Sequence, residues 1–440
     1  MSSFPGSPYF LMRRRAVPVI LLLLMPLLPG CVSAPKELRS EPEVQGRFYD
    51  DVSTSSMQAR LEQRLNAEVE RQGIPALGVA LLGDRERIEL AFGTGGPSRE
   101  ELITVDAQFR LGSVTKLYTA VVVLSLVEEG RLRLDQSVSG WFPELPEAEK
   151  ITIRHLLQHT SGVGEYTSSF FSALGTLLRP HRHWEREQLL RRILRRRPEF
   201  EPGARFGYSN SNYVLLGLIA ERVTGERFPA LLNRYIVAPL ELSETYLAPD
   251  NGAEEEQLLT GYDYDILPLG NHRVRPENGA WPSWAFTAGG VVSTPGEMAR
   301  FLSALFEGRL LTEATVERMT DDVEAREERM PEMIGYGLGM RVVEIEGEIL
   351  YGHTGTIPGF GASLFHWPEK SMIIALAANR SVIDHAALLS AVVRARRVGA
   401  LPASTRRNPP PGPLGLPREP RSTPSAQSRG NRLLPRRESS

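Results

Sequence analysis

The chain has 440 residues, of which 41% are hydrophobic and 24% charged, and its formal net charge is -2. This length and composition suffice for one large core or two smaller ones. The charge balance does not suggest a nucleic-acid partner, because nucleic-acid-binding domains carry an excess of positive charge. The single cysteine excludes an intrachain disulfide bond and a metal site built from several cysteines.

The first 30 residues are typical of an export signal. Three arginines at 13–15 precede an apolar stretch at 17–28, which is too short to span a bilayer but suits a secretory signal. The small residue Gly30 before Cys31 resembles a bacterial lipobox. We therefore predict a lipoprotein signal peptide over residues 1–30, lipidation of Cys31, and a membrane-anchored protein on the extracytoplasmic side of the cell envelope, the periplasmic face in a Gram-negative cell. The alternative is an ordinary signal peptide with an incidental cysteine.

Beyond Cys31, a polar stretch gives way to clear periodic patterns. Residues 31–52 have mixed charge, and we interpret them as a spacer. Apolar residues at helical spacing predict a helix over 57–69. Residues 76–82 and 88–92 flank a charged turn and predict two strands. The segment 114–129 is apolar nearly all round, which predicts a buried helix.

Strand patterns occur at both ends of the region that we expect to fold. Residues 131–284 show helical patterns and little strand signal, whereas the segment after them contains a helix, three strands and a final helix. We predict an α/β fold in which 53–130 and 285–397 form an antiparallel sheet flanked by helices, with 131–284 inserted as a mainly helical domain. A cleft between the two parts is the default place for a ligand. Residues 398–440 contain nine prolines and no apolar period, which predicts a disordered tail.

Ser113 and Lys116 open the predicted buried helix. Residues three apart share a helix face, so the hydroxyl and the amine can meet. The helix N-terminus and burial both disfavour the charged ammonium, and a neutral amine beside a hydroxyl activates a nucleophile. The same spacing recurs at Ser33 and Lys36 in the spacer, where Pro35 argues against a helix. The context therefore favours Ser113 as the nucleophile and Lys116 as the base.

Tyr208 and Asn210 lie just before another predicted helix, at about 212–222. A phenol can act as a proton shuttle when nearby cations lower its pKa, and a carboxamide can bind a substrate amide. The alternative is a helix start in which Ser209 or Asn210 caps the first turn. Taken alone, Tyr208, Ser209 and Asn210 favour the interpretation as a helix cap.

His353, Thr354 and Gly355 lie between two strand signals. Glycine lets a ligand approach the backbone closely, as an added strand would. The Thr354 hydroxyl can bind a carboxylate, and His353 can donate or relay a proton. The alternative is a tight turn.

Together, and in this order, the three elements resemble the penicillin-recognising serine hydrolases. That family includes class C β-lactamases, low-molecular-mass D-Ala-D-Ala carboxypeptidases and related esterases, and it carries the motif set Ser-x-x-Lys, Tyr-x-Asn and His-Thr-Gly as one of its variants. The likeness covers roughly residues 55–395. Further stretches that look like this family are 155–162, 202–207, 288–290 and 352–360.

The resemblance implies a β-lactamase/transpeptidase-like fold and a role for each motif residue. Ser113 would form an acyl-enzyme, and Lys116 and Tyr208 would share the transfer of protons. Asn210 would bind the substrate amide. The backbone N–H groups of Ser113 and Thr356 would form an oxyanion hole, in which one donor is worth roughly 3–4 kcal/mol.

Two positions bear on the substrate. His353 stands where β-lactamases usually have lysine, which argues against efficient antibiotic hydrolysis. Arg341 matches the place where some family carboxypeptidases carry an arginine, and a guanidinium suits the terminal carboxylate of a peptide. The alternative for Arg341 is a surface charge at a strand edge. With His353, Thr354 and Thr356, it completes the predicted substrate-binding set.

The sequence therefore predicts a serine hydrolase that acts on D-amino-acid peptides or related amides and esters, with a carboxypeptidase-like preference and cell-wall peptide as a possible substrate. A promiscuous esterase and a β-lactamase are the alternatives within the fold. A non-catalytic envelope protein that binds cell-wall material is the alternative of another class. No metal or organic cofactor is indicated: His155 and His159 have zinc-helix spacing but lack the glutamate between them.

Overall fold

The computed structural model describes ten stretches of the chain, namely residues 44–49, 55–84, 86–95, 102–167, 183–248, 258–264, 271–274, 280–321, 323–327 and 330–397. The predicted signal peptide, Cys31, most of the spacer and the 398–440 tail lie outside these stretches and stay predictions. Within them, no helix combines the length and the apolar character needed to cross a membrane.

Short segments of regular structure alternate along the described part of the chain. The strands are β1 Val44–Tyr49, β2 Ala76–Gly83, β3 Glu86–Gly93, β4 Phe109–Arg110, β5 Tyr246–Leu247, β6 Gly261–Tyr264, β7 Asn271–Val274, β8 Val291–Ser293, β9 Val323–Glu324, β10 Met333–Tyr336, β11 Arg341–Ile345, β12 Glu348–Ile357, β13 Phe360–Trp367 and β14 Met372–Ala378. The helices are α1 Ser55–Gln72, α2 Thr115–Glu128, α3 Ile153–Leu157, α4 Arg186–Leu194, α5 Asn210–Thr224, α6 Phe228–Leu232, α7 Ala238–Leu240, α8 Ala280–Ala285, α9 Pro295–Phe306, α10 Glu313–Thr320 and α11 His385–Arg397.

Among the described residues, nine strands form the main sheet, in the order β1-β3-β2-β14-β13-β12-β11-β10-β9. Each neighbouring pair is antiparallel. Strands from the two ends of the folded chain meet inside this sheet, where β2 pairs with β14 and Leu77 lies opposite Ala378. This confirms the predicted antiparallel sheet built from both ends of the chain.

The central strands are apolar throughout because both faces of the sheet are covered. Along β2, Leu77, Val79 and Leu81 pack into one core with α1 and α11. Ala76 and Ala80 point the other way, into a second core that contains α2 and α9. This alternation follows from the two-residue period of a strand.

Helix α2 lies deep in the second core. All of its residues from Thr115 to Leu126 are buried, as expected for a helix that is apolar on every side. The preceding 3-10 turn, Gly112–Val114, carries Ser113 and contacts β12. The core therefore fixes the start of α2 against the sheet.

The structure differs from the sequence prediction in two places. The predicted spacer includes β1, which pairs with β3; such pairing uses backbone hydrogen bonds and needs no apolar pattern. The predicted helical segment contains β5 and the β6–β7 hairpin, whose strands of two to four residues are too short to show a period. In the described residues, the core around α2 also takes in Leu156 and Leu215 of that segment, so the predicted boundaries at 130 and 285 do not separate two cores.

Candidate active site

The backbone around Ser113 lies directly against strand β12. Gly112 has φ of +51°, and a Cβ atom there would lie 2.8 Å from the Thr356 nitrogen. A Cβ atom on Gly355 would lie 1.9 Å from the Leu111 carbonyl oxygen and 2.9 Å from the Ser113 nitrogen. Two glycines thus allow the turn and the strand to touch, and they bring together the two backbone segments whose N–H groups are expected to form the oxyanion hole.

This contact makes Gly355 a test of the oxyanion hole. We expect Gly355→Ala to push β12 away from the turn and to lower kcat by about 10²-fold, the cost of losing one such donor. Overpacking should also lower the free energy of unfolding by roughly 1–3 kcal/mol. Gly140→Ala is the matched control, because a Cβ at Gly140 meets nothing within 4 Å. Steady-state kinetics and urea unfolding of both variants measure these effects, and full activity in Gly355→Ala would contradict the assignment.

Lys116 is completely buried at the centre of the site. Its Nζ atom lies 2.9 Å from Ser113 Oγ, 2.8 Å from Asn210 Oδ1 and 2.8 Å from the Ala288 carbonyl oxygen. Burial lowers the pKa of Lys116 well below its usual range, and the Arg341 charge lowers it further, against the opposing effect of Glu165. As a neutral amine, Lys116 can donate to Asn210 and Ala288 and accept the proton of the Ser113 hydroxyl.

The ring of Tyr208 lies across the site from Ser113. Its centroid is 4.9 Å from Lys116 Nζ and 5.1 Å from Arg341 Cζ. The Tyr208 hydroxyl is buried and has no partner of full hydrogen-bond geometry among the described residues. Burial raises its pKa, although Arg341 and Ser113 act to lower it. The condition for a proton shuttle with a lowered pKa is therefore not met, because desolvation outweighs the nearby cation. A protonated Tyr208 is a proton donor, and this leaves Lys116 as the base.

The segment with Tyr208 and Asn210 is held by side chains from the loop after α3. The Ser209 N–H donates to His159 Nδ1 at 3.2 Å, and the Tyr208 ring lies 4.3 Å from the His159 ring. Asn210 begins α5, and its N–H donates to the Glu165 carboxylate. The proposed cap by Ser209 was wrong, since its side chain makes no such bond and the glutamate carboxylate takes that place. His159 thus has a structural role, because it holds Ser209 and Tyr208 in place.

The third motif lies inside β12, so the alternative of a tight turn was wrong. Thr354 and Thr356 line the cleft. His353 is fully buried, shares a 3.0 Å hydrogen bond with the Tyr336 hydroxyl, and contacts the Thr354 carbonyl oxygen. Burial, followed by the charge of Arg341, lowers its pKa well below the usual range. His353 does not line the cleft, so in this position it affects a substrate only through its neighbours, contrary to the predicted direct contact.

Arg341 begins β11 and lines the cleft, but it is already paired. Its guanidinium donates to Glu327 at 3.0 Å and is only 6% exposed, so the alternative of a surface charge was wrong. The cleft has a volume of about 760 Å³. Its described lining residues are Ser113, Tyr208, Asn210, Glu327, Met330, Pro331, Glu332, Arg341, Thr354, Thr356, Ile383, Asp384, His385 and Ala386.

Comparison with known proteins decides the family. Residues 59–396, more than half of the chain, match the family model described as Beta-lactamase. The chain belongs to this family. Its members include penicillin-binding proteins, esterases, amidases and β-lactamases, which are serine hydrolases. The predicted β-lactamase/transpeptidase-like fold is confirmed.

Individual relatives are similar at moderate identity. Penicillin-binding protein 4* of Bacillus subtilis (strain 168) is 25% identical over 302 residues, which cover 66% of this chain and 64%, just under two thirds, of that protein. The D-amino acid amidase from Ochrobactrum anthropi SV3 has a TM-score of 0.70 at 25% identity, over 78% of this chain and 99% of its own. The D-stereospecific amidohydrolase from Streptomyces sp. has a TM-score of 0.67 at 30% identity, with the same coverage.

Several residues of this Beta-lactamase-family site were missed by sequence reasoning. Glu165 and Glu327 are single acidic residues without a motif, and only the fold brings them to Asn210 and Arg341. His385, at the start of α11, shares hydrogen bonds with Ser363 and Thr356, and burial lowers its pKa to about 4. The helical pattern gave no reason to single it out. Within the described residues, no group of three or more His, Cys, Asp or Glu side chains is arranged to hold a metal ion.

Proposed function

We propose that this protein hydrolyses amide or ester bonds of D-amino-acid substrates through an acyl-enzyme on Ser113. The observation that carries the proposal is the buried amine of Lys116, 2.9 Å from Ser113 Oγ, with a pKa lowered by burial. A neutral amine beside a hydroxyl can take the hydroxyl proton and so activate the nucleophile.

The proposed reaction has two halves. Ser113 Oγ attacks the substrate carbonyl carbon while Lys116 takes the hydroxyl proton, and the oxyanion accepts hydrogen bonds from the N–H groups of Ser113 and Thr356. The bond to the leaving amine or alcohol then breaks, and Tyr208 supplies the proton that the leaving group needs, regaining one from Lys116. In the second half, water attacks the acyl-enzyme and loses a proton to the same pair of residues. The bond to Ser113 Oγ then breaks, Ser113 regains its proton, and the acid product leaves.

Two observations favour the D-amino-acid class. The chain resembles a D-amino acid amidase and a D-stereospecific amidohydrolase over nearly the whole of those structures. Asn210 accepts a hydrogen bond from Lys116 and also lines the cleft, so it is placed to hydrogen-bond a substrate amide. The carboxypeptidase-like preference is the second candidate. It is favoured by Arg341 in the cleft wall and opposed by the ion pair that Arg341 makes with Glu327.

The remaining alternatives differ in what they require. An esterase would use the same Ser113 chemistry without needing Arg341, and a β-lactamase would need rapid hydrolysis of its acyl-enzyme. A silent binding protein would gain nothing from a desolvated lysine, since burying that amine costs free energy, whereas a catalytic base needs its lowered pKa. We further propose that the enzyme acts at the cell envelope, anchored through Cys31, because residues 1–31 have the pattern of a lipoprotein signal.

A substrate panel tests the proposed function. The panel contains D-phenylalanine amide, L-phenylalanine amide, a p-nitrophenyl ester and a chromogenic cephalosporin, with Ser113→Ala as the blank. We expect the D-amide to be hydrolysed at least about tenfold faster than the L-amide, because one cleft fits only one configuration well. Equal rates on both enantiomers, or turnover of the ester alone, would contradict the D-amino-acid assignment.

A further inference from the structure

The described hydrogen bonds of the Arg341 guanidinium to the cleft wall all run through Nη1, whereas its Nε atom has no partner among the described residues. Its Nη1 atom donates to Glu327 Oε2 at 3.0 Å and contacts the sulfur atoms of Met330 at 3.1 Å and Met333 at 3.5 Å. Its Cζ atom lies 5.1 Å from the centroid of the Tyr208 ring. A substrate carboxylate that used this arginine would have to compete with a carboxylate that the chain itself supplies.

The cleft as a whole carries more acid than base. Its described lining residues include three carboxylates, Glu327, Glu332 and Asp384, and one guanidinium, that of Arg341. Asp384 is half-exposed and also lies 3.3 Å from Arg71, so it contributes less than the other two. Like charges brought together in a partly desolvated cleft repel strongly, and this works against an anionic substrate group.

We infer that Glu327 is a specificity-determining residue: it occupies Arg341, so that the cleft rejects substrates ending in a carboxylate and prefers those that carry a protonated amine. The inference rests on the proposed function and narrows its substrate class to amides and peptides with a free amino end and no free carboxyl end. Glu327 acts partly through Arg341 and partly through its own charge on the cleft wall. The masking of Arg341 and the negative charge of Glu327 both weaken the binding of a substrate carboxylate.

The experiment compares two substrates with the same D-Ala-D-Ala backbone and opposite charges at their ends. D-Ala-D-Ala-amide carries a free amine and no carboxylate, and Nα-acetyl-D-Ala-D-Ala carries a carboxylate and no amine. For the wild type we expect kcat/KM to favour the first substrate by about tenfold or more. A wild type that prefers the second substrate, or cleaves both equally, overturns the inference whatever the variants do. Cleavage of neither substrate counts against the proposed function.

Glu327→Gln separates the role of this residue from the general acidity of the cleft. The amide is similar in shape but neutral, so Arg341 is released. We expect the preference for the amine substrate to fall by about tenfold or more, mainly because KM for the carboxylate substrate decreases. In the double variant Glu327→Gln/Arg341→Met, this gain for the carboxylate substrate should disappear. An unchanged preference in Glu327→Gln overturns the inference.

Glu332→Gln is the matched control. Glu332 lines the same cleft and loses the same charge, but the described hydrogen bonds of Arg341 do not include it. We expect its substrate preference to change less than about threefold. An effect as large as that of Glu327→Gln would show that net charge alone, not the masking of Arg341, sets the preference. Turnover of a neutral p-nitrophenyl ester checks that each variant is folded.

Discussion

Ser113→Ala should lower kcat for a D-amino-acid amide by roughly 10⁴- to 10⁶-fold, the range seen when a serine hydrolase loses its nucleophile. Without Oγ no acyl-enzyme can form, whereas the oxyanion-hole backbone and the bonds from Lys116 to Asn210 and Ala288 remain. Substrate binding should therefore change little. Intact-protein mass spectrometry after rapid quenching should detect the acyl adduct in the wild type and none in the variant.

Ser125→Ala controls for the loss of a buried hydroxyl on the same helix. Ser125 Oγ donates to the Val121 carbonyl oxygen at 2.9 Å, one turn back in α2 and far from the cleft-lining residues. We expect it to cost about 1 kcal/mol of unfolding free energy and to leave kcat unchanged. If Ser113→Ala kept a tenth of the wild-type rate, the nucleophile would have to be another residue.

Lys116→Arg should lower kcat/KM by at least about 10³-fold, although it keeps a long cationic side chain. Arginine stays protonated in proteins, so it cannot take the proton of Ser113. Its larger head group must also fit the space between Ser113, Asn210 and Ala288, where Lys116 is completely buried. Lys150→Arg, at a side chain that is 64% exposed, is the control and should behave as the wild type.

The pH dependence distinguishes loss of a base from loss of packing. The neutral amine is the active form, so wild-type kcat/KM should rise as pH increases through the pKa of Lys116 and then level off. Because burial lowers this pKa well below 10.5, the rise should be complete at a lower pH than an exposed lysine would give. The residual activity of Lys116→Arg should lack this rise of kcat/KM with pH. If wild-type kcat/KM instead kept rising up to pH 10.5, Lys116 would be protonated in the folded protein at neutral pH, contrary to the proposed role.

The parts of the site that the sequence predicted are those governed by local geometry. The spacing of Ser113 and Lys116 on one helix needs only the helical period, and the buried character of α2 follows from its composition. The apolar runs at 76–82 and 88–92, which form two strands of the sheet, were equally visible. The resemblance then supplied Tyr208 and Asn210, which lie about a hundred residues further along the chain.

Long-range packing decides what the sequence could not show. One of the two acceptors of Lys116 is a backbone carbonyl, that of Ala288, and no side-chain pattern marks a carbonyl. The pKa of Tyr208 depends on the balance between burial and nearby cations, which only the folded protein sets. The partner of Arg341 is Glu327, fourteen residues away on a different segment. These contacts also separate the possible substrates, so motifs alone leave the specificity open.

The pairing of β2 with β14 has a consequence for how this enzyme is made. β2 leaves the ribosome early, whereas its neighbour β14 and the strand β12, which carries Thr354 and Thr356, are synthesised much later. Until then one edge of β2 stays open, and such edges readily pair with other chains. Contacts between such distant residues also slow folding. Assembly of the catalytic apparatus must therefore await the synthesis of β12 and β14, and a chain cut short before Met372 would retain Ser113 and Lys116 without the complete sheet that supports them.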